Sequence, residues 1–76
     1  MTGIICSLPH DKFYGFIQSG GNQYFFHKDD FEGHWTDLMY DHYQGHKIEV
    51  SFVSVDSDKG PRAASVRRVD AGIVMP

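Results

Sequence analysis

The sequence predicts an all-β domain closed into a small barrel, on three observations. Strand-forming residues come in short blocks, dense turn residues separate the blocks, and helix-period patterning is weak. Seventy-six residues also leave room for one domain only. A chain this short hides about 60% of its unfolded surface, so its core must be compact. Closure removes the exposed edges of an open five-stranded sheet, and a sandwich normally needs more strands.

The elements follow in order. Ile4-Ile5-Cys6-Ser7-Leu8 is a β-branched start that Pro9 closes. Phe13-Tyr14-Gly15-Phe16-Ile17 comes next, and Ser19-Gly20-Gly21-Asn22 supplies a turn whose glycines tolerate positive φ. Tyr24-Phe25-Phe26-His27 resumes the strand, so residues 13–27 read as one hairpin. Residues 28–45, with Trp35, Tyr40 and Tyr43, read as a long connection ending near Gly45, with no more than a helical turn around Asp37–His42. From Lys47 to Val55, Ile48, Val50 and Phe52 alternate with polar residues, the period of a half-buried strand. Asp56-Ser57-Asp58-Lys59-Gly60-Pro61 is a turn, and Ala63–Val69 makes a fifth strand. Residues 1–70 thus form the domain, and 71–76 show no pattern and are expected to be a loose tail.

Composition narrows the function classes. The 41% hydrophobic and 22% charged content argues for a folded globule over a disordered chain. No apolar run approaches the ~20 residues of a membrane-spanning helix, and no leader peptide is expected. The lone Cys6 excludes an internal disulfide and suits a cytoplasmic location. A net charge of −3 argues against attachment to nucleic acid mainly by bulk electrostatics. The charge is unevenly placed: residues 59–70 hold Lys59, Arg62, Arg67 and Arg68 against Asp70 alone. That segment fits either a strip of phosphate contacts or a charged, edge-protecting strand, and charge alone favours the second.

The most informative segment is 12–28. Alternate side chains of a strand face opposite ways. One register packs Phe13, Ile17, Tyr24 and Phe26 inward and leaves Tyr14, Phe16, Phe25 and His27 together outside. Four ring systems on one outward face need a reason. Stacking unpaired bases is one, at ~1–3 kcal/mol per base. Coverage by residues 28–45 is the other, and periodicity alone leaves the two level.

Three motifs break the tie. Lys12-Phe13-Tyr14-Gly15-Phe16-Ile17 resembles the first ribonucleoprotein motif of cold-shock domains, K-G-F-G-F-I, and Tyr24-Phe25-Phe26-His27 resembles the second, V-F-V-H. Gly60-Pro61-Arg62-Ala63-Ala64-Ser65-Val66 is similar to the closing G-P-x-A-x-x-V, and Gly3 and Asp11 also match. The likeness spans about residues 3 to 69. It implies a five-stranded antiparallel OB-fold barrel that binds single-stranded RNA or DNA, as an RNA chaperone or a regulator of transcription or translation. It further implies that Tyr14, Phe16, Phe25 and His27 stack on bases while Lys12 meets phosphate or a base edge. Gln23 takes the place of an acidic base-contacting residue. Lys59 and Arg62 flank the groove at Gly60-Pro61, and Trp35 would replace a loop aromatic that caps the platform.

The departures matter too. Against the family's G-K-V-K-W-F-N, this chain has Gly3-Ile4-Ile5-Cys6-Ser7-Leu8-Pro9, so the stacking Trp becomes Ser7. The Phe after the second motif becomes Lys28, and the first Gly of K-G-F-G-F-I becomes Phe13. Two lost stacking groups remove about 2–6 kcal/mol, or about 30-fold to 10⁴-fold in affinity. Lys28 would recover part through phosphate. A weaker, less extended binder is expected.

Other chemistries find little footing. His42 and His46 have helical ligand spacing, but Gly45 lies between them and no further ligand stands at a suitable interval, so no metal is expected. Nothing activates Cys6 as a nucleophile, Asp29-Asp30 reads as a turn, and Gly20-Gly21 lacks a phosphate-loop pattern. No enzyme and no cofactor are expected. The competing reading is a protein-interaction domain, or a homodimer in place of a monomer, that uses the same aromatic patch.

Overall fold

The computed structural model describes residues 1–69, which form one closed five-stranded barrel with a short helix. Residues 70–76, where the expected tail lies, are outside the described residues. The strands are β1 (Thr2–Ser7), β2 (Tyr14–Ser19), β3 (Asn22–His27), β4 (Glu49–Ser57) and β5 (Gly60–Arg68). A 3-10 turn (Lys28–Asp30) and helix α1 (Trp35–Tyr43) lie between β3 and β4. Around the ring the order is β1-β2-β3-β5-β4, and β4 closes on β1 through Thr2↔Ser51, Gly3↔Val50 and Ile4↔Glu49. The expected small five-stranded barrel is therefore present.

One correction concerns strand direction. The barrel is mixed, because β3 and β5 run parallel at Phe25↔Arg62, with a further parallel bridge Phe31↔Val66. The reason is topological. A closed ring with an odd number of strands cannot alternate direction all the way round, so one neighbouring pair must be parallel. It falls where the longest connection separates the partners.

The β2–β3 hairpin follows the sequence pattern. Gly20 and Gly21 have φ of 58° and 84°, the two positive values of a type I′ turn, whose twist suits adjoining strands. β1 carries a bulge between Ile5 and Ser7 against β2. Here Gly15 allows a close approach. A Cβ at this position would lie 2.5 Å from Leu8 Cδ2 and 2.7 Å from the Ser7 carbonyl oxygen. β4 and β5 are also bulged, between Ser51 and Val53, with Ser65 at φ 51°. The bulge explains why Ala63 and Val66, three apart, both point inward.

The core joins Ile5, Leu8, Ile17, Tyr24 and Phe26 to Ile48, Val50, Phe52, Ala63 and Val66, with Phe31, Trp35 and Leu38 completing it. The last two belong to α1, a second correction: the connection 28–45 contains a full nine-residue helix rather than a loop. Trp35, Leu38 and Met39 lie at i, i+3, i+4, one apolar stripe against the barrel. Gly45 at φ 85° ends the helix, its N–H bonding the His42 carbonyl at 3.0 Å. Tyr43 donates to the Leu8 carbonyl at 2.6 Å, and Arg68 pairs with Asp41 at 2.6 Å. Both ties fasten the helix to the ring.

Phe13 is a third correction. Expected inward, it is 60% exposed. β2 begins only at Tyr14, so the strand alternation that would turn its side chain inward does not extend to Phe13. No helix among the described residues is long and apolar enough to cross a membrane.

Candidate nucleic-acid interface

The outer face of the β2–β3 hairpin is built from three cross-strand rungs. Tyr14 stands opposite His27, Phe16 opposite Phe25, and Gln18 opposite Gln23. Their neighbours Ile17, Tyr24 and Phe26 point into the core, so the period-2 rule leaves Tyr14, Phe16, Phe25 and His27 on the outer face, each half-buried. Ring centroids are 5.5 Å apart for Tyr14–Phe25, 5.8 Å for Phe16–Phe25 and 6.1 Å for Tyr14–Phe16. Tilted and edge-on packing holds the rings against one another as a shared apolar surface.

Arg62 extends this surface across the parallel seam. It is the β5 partner of Phe25, and its guanidinium carbon lies 5.7 Å from the Phe25 ring centroid. Arg62 Nη2 pairs with Asp30 Oδ2 at 2.9 Å, and the same oxygen accepts the His27 backbone N–H at 3.0 Å. His27 in turn uses Nδ1 to accept the Asp29 N–H at 3.1 Å, which completes a capping box on the 3-10 turn. In neutral His27 the ring proton therefore sits on Nε2. Sequence, turn and platform are thus linked. The turn that ends β3 holds the carboxylate that orients the arginine beside Phe25.

Phe16, Phe25 and Arg62 line a cleft of about 380 Å³, whose other wall is the β4–β5 turn: Ser57, Lys59, Gly60 and Pro61. Lys59 is exposed and has no ion-pair partner among the described residues. The other basic residues of the final segment are tied to acids, Arg67 to Glu32 and Arg68 to Asp41, both at 2.6 Å. That segment thus divides. Lys59 and Arg62 face the cleft, while Arg67 and Arg68 pin neighbouring elements.

The remaining candidates fall elsewhere. Gln23 is exposed on the same face, one rung beyond Phe25. Lys12 and Lys28 are exposed at the α1 end of the hairpin, Lys12 beside Phe13 in a shallow depression and Lys28 with its Nζ 5.8 Å from the Phe13 ring centroid. Trp35 is a correction. It is 8% exposed, set edge-on against Phe26 at 5.8 Å and Phe31 at 6.1 Å. Those partners line the inner side of the barrel, so Trp35 is a core residue and caps nothing on the outer face. Ser7 stands opposite Phe16 at the β1 bulge, giving the platform a hydroxyl edge where a ring would have widened it. Of the histidines weighed for metal, His42 packs on Tyr43, and His46 lies 3.9 Å from Asp41.

Sequence reasoning missed Val53 and Val55, both exposed. Val53 is paired with Ala64, and Val55 with Arg62. They carry the outer apolar surface past Arg62 onto β4. The signal was present: Val50 and Phe52 are even and face inward, so the odd Val53 and Val55 of the same strand fall on the outer face by simple alternation.

No protein-family model matches this chain, and no curated protein matches it.

Proposed function

We propose that this barrel binds single-stranded nucleic acid, holding unpaired bases against Tyr14, Phe16 and Phe25. One observation carries the reading. Three mutually packed rings lie on an accessible sheet face, beside a cleft flanked by Lys59 and by an arginine stacked next to Phe25. Every base has a π-face, so such a surface accepts single strands of varied sequence, whereas the bases of a duplex are already stacked. The likeness to cold-shock domains supports the same conclusion. It extends to a role as RNA chaperone or as regulator of transcription or translation, in a reducing compartment such as the cytoplasm. We read the chain as a binding module rather than an enzyme.

The binder is a modest one. Ser7 adds no ring, Trp35 is withdrawn into the core, and the molecule carries a net charge of −3. Affinity rests on few stacking positions and few phosphate contacts. If Lys12, Lys28 and Lys59 each neutralise one phosphate, log K falls with log salt at a slope of about −2. The test is fluorescence anisotropy of a labelled oligothymidylate. Phe16→Ala and Phe25→Ala should each weaken binding by at least ~1 kcal/mol while the circular dichroism spectrum stays unchanged. Measurable binding that survives both substitutions undiminished refutes the assignment.

Exposed Val53 and Val55 favour a second reading, in which the continued apolar face meets a protein, including a second copy of this chain. A mass that rises with concentration in the absence of nucleic acid would support it.

A further inference from the structure

We infer that the binding surface does not end at Tyr14 but turns over the end of the β2–β3 ladder to a separate nucleotide subsite made by Phe13, Lys12 and Lys28. This inference rests on the reading above and adds the place where a longer strand continues. Phe13 is the most exposed phenylalanine among the described residues, at 60%. Its backbone carbonyl accepts the Lys28 N–H at 2.7 Å, one rung beyond Tyr14↔His27, so the subsite directly adjoins the platform. Lys28 Nζ approaches the ring to 5.8 Å from its centroid, and Lys12 precedes it in the chain. An exposed ring with one ammonium group near it and a second lysine lining the adjoining depression offers a nucleotide both of its usual contacts, stacking for the base and positive charge for the phosphate.

The depression beside Phe13, about 340 Å³, is lined by His10, Asp11, Lys12, Trp35, Thr36 and Met39. Two carboxylates adjoin these lysines in the chain, and each is largely exposed and lies near a histidine ring. Asp11 Oδ2 lies 3.1 Å from His10 Nδ1, and Asp29 Oδ2 lies 3.6 Å from His27 Nδ1. One wall of the depression belongs to the core, because Trp35 is packed against Phe26 and Phe31 and is only 8% exposed.

Two oligothymidylates separate this subsite from the platform, one of about four nucleotides and one of about eight, within the range a single OB barrel accommodates. Phe13→Ala should weaken the longer oligonucleotide at least about fivefold and leave the shorter unchanged. Phe16→Ala should weaken both. Lys28→Gln should make the salt slope shallower by about 0.7 for the longer one only. Because Phe13 is exposed, the variant should keep the circular dichroism spectrum of the unaltered protein. If Phe13→Ala changes neither while Phe16→Ala weakens both, the platform stands and the subsite is refuted. Equal loss at both lengths also refutes a separate subsite. Absence of binding by the unaltered protein at either length ends both readings.

Discussion

Arg62 is a residue with two obligations, and they oppose each other. Its guanidinium lies beside Phe25, yet its charge is engaged by Asp30, whose side chain is only 18% exposed. A pair at this depth is worth at most about 1 kcal/mol to stability, so the chain gives up little by spending the charge on orientation. Asp30→Asn should therefore leave the fold in place while freeing Arg62 for phosphate. The expected result is tighter oligonucleotide binding and a salt slope steeper by about 0.7. Unchanged affinity and slope would mean that Arg62 never meets phosphate. Phe16 and Phe25 give a complementary prediction. Their centroids are 5.8 Å apart, so the double alanine variant should lose less than the sum of the single losses. Trp35 shows where residue-level reading failed. Aromatic character alone does not say which side of a barrel a ring occupies. A helix had to be recognised before its buried stripe with Leu38 could be seen. Its emission should consequently report unfolding.

At the scale of elements, the hairpin was legible because its information is local. A two-glycine turn and strict alternation determine which rings share a face. The helix was not, because its apolar stripe is short and its neighbours Tyr40, His42 and Tyr43 are aromatic or polar without strand alternation. Only tertiary burial of Trp35 and Leu38 makes that segment a helix, and propensity is a weak guide in such cases. The extra residue of β5 lay between these extremes, since Ala63 and Val66, three apart, are both buried and neither stands out as a core residue in a segment of small and basic residues. Gly15 supports the most specific prediction at this scale. Any Cβ there presses on the Ser7 carbonyl oxygen at 2.7 Å as well as on Leu8, and the backbone atom cannot swing away. Gly15→Ala should cost about 1–3 kcal/mol and lower the Tm by roughly 4–8 °C per kcal/mol, measured by thermal denaturation. A variant as stable as the parent would show that β1 and β2 are not pressed together at that point.

For the whole molecule, closure of five strands positions the outer aromatic face and the cleft beside it. An odd ring requires one parallel seam, and the seam between β3 and β5 carries Arg62 to Phe25. The same closure holds the β4–β5 turn against the platform, so Lys59, Gly60 and Pro61 wall the cleft whose floor is Phe16 and Phe25. Charge sets the limit. With a net −3 and with Arg67 and Arg68 engaged by acids, the proposed binding would draw on local contacts rather than on a general attraction to nucleic acid. The most direct measurement is a titration of the protein with a short oligothymidylate and with its duplex form, each at two salt concentrations. A clear preference for the single strand, weakened by salt and by Phe16→Ala, is the expected result. Equal affinity for the duplex, or no binding to either form, would contradict it.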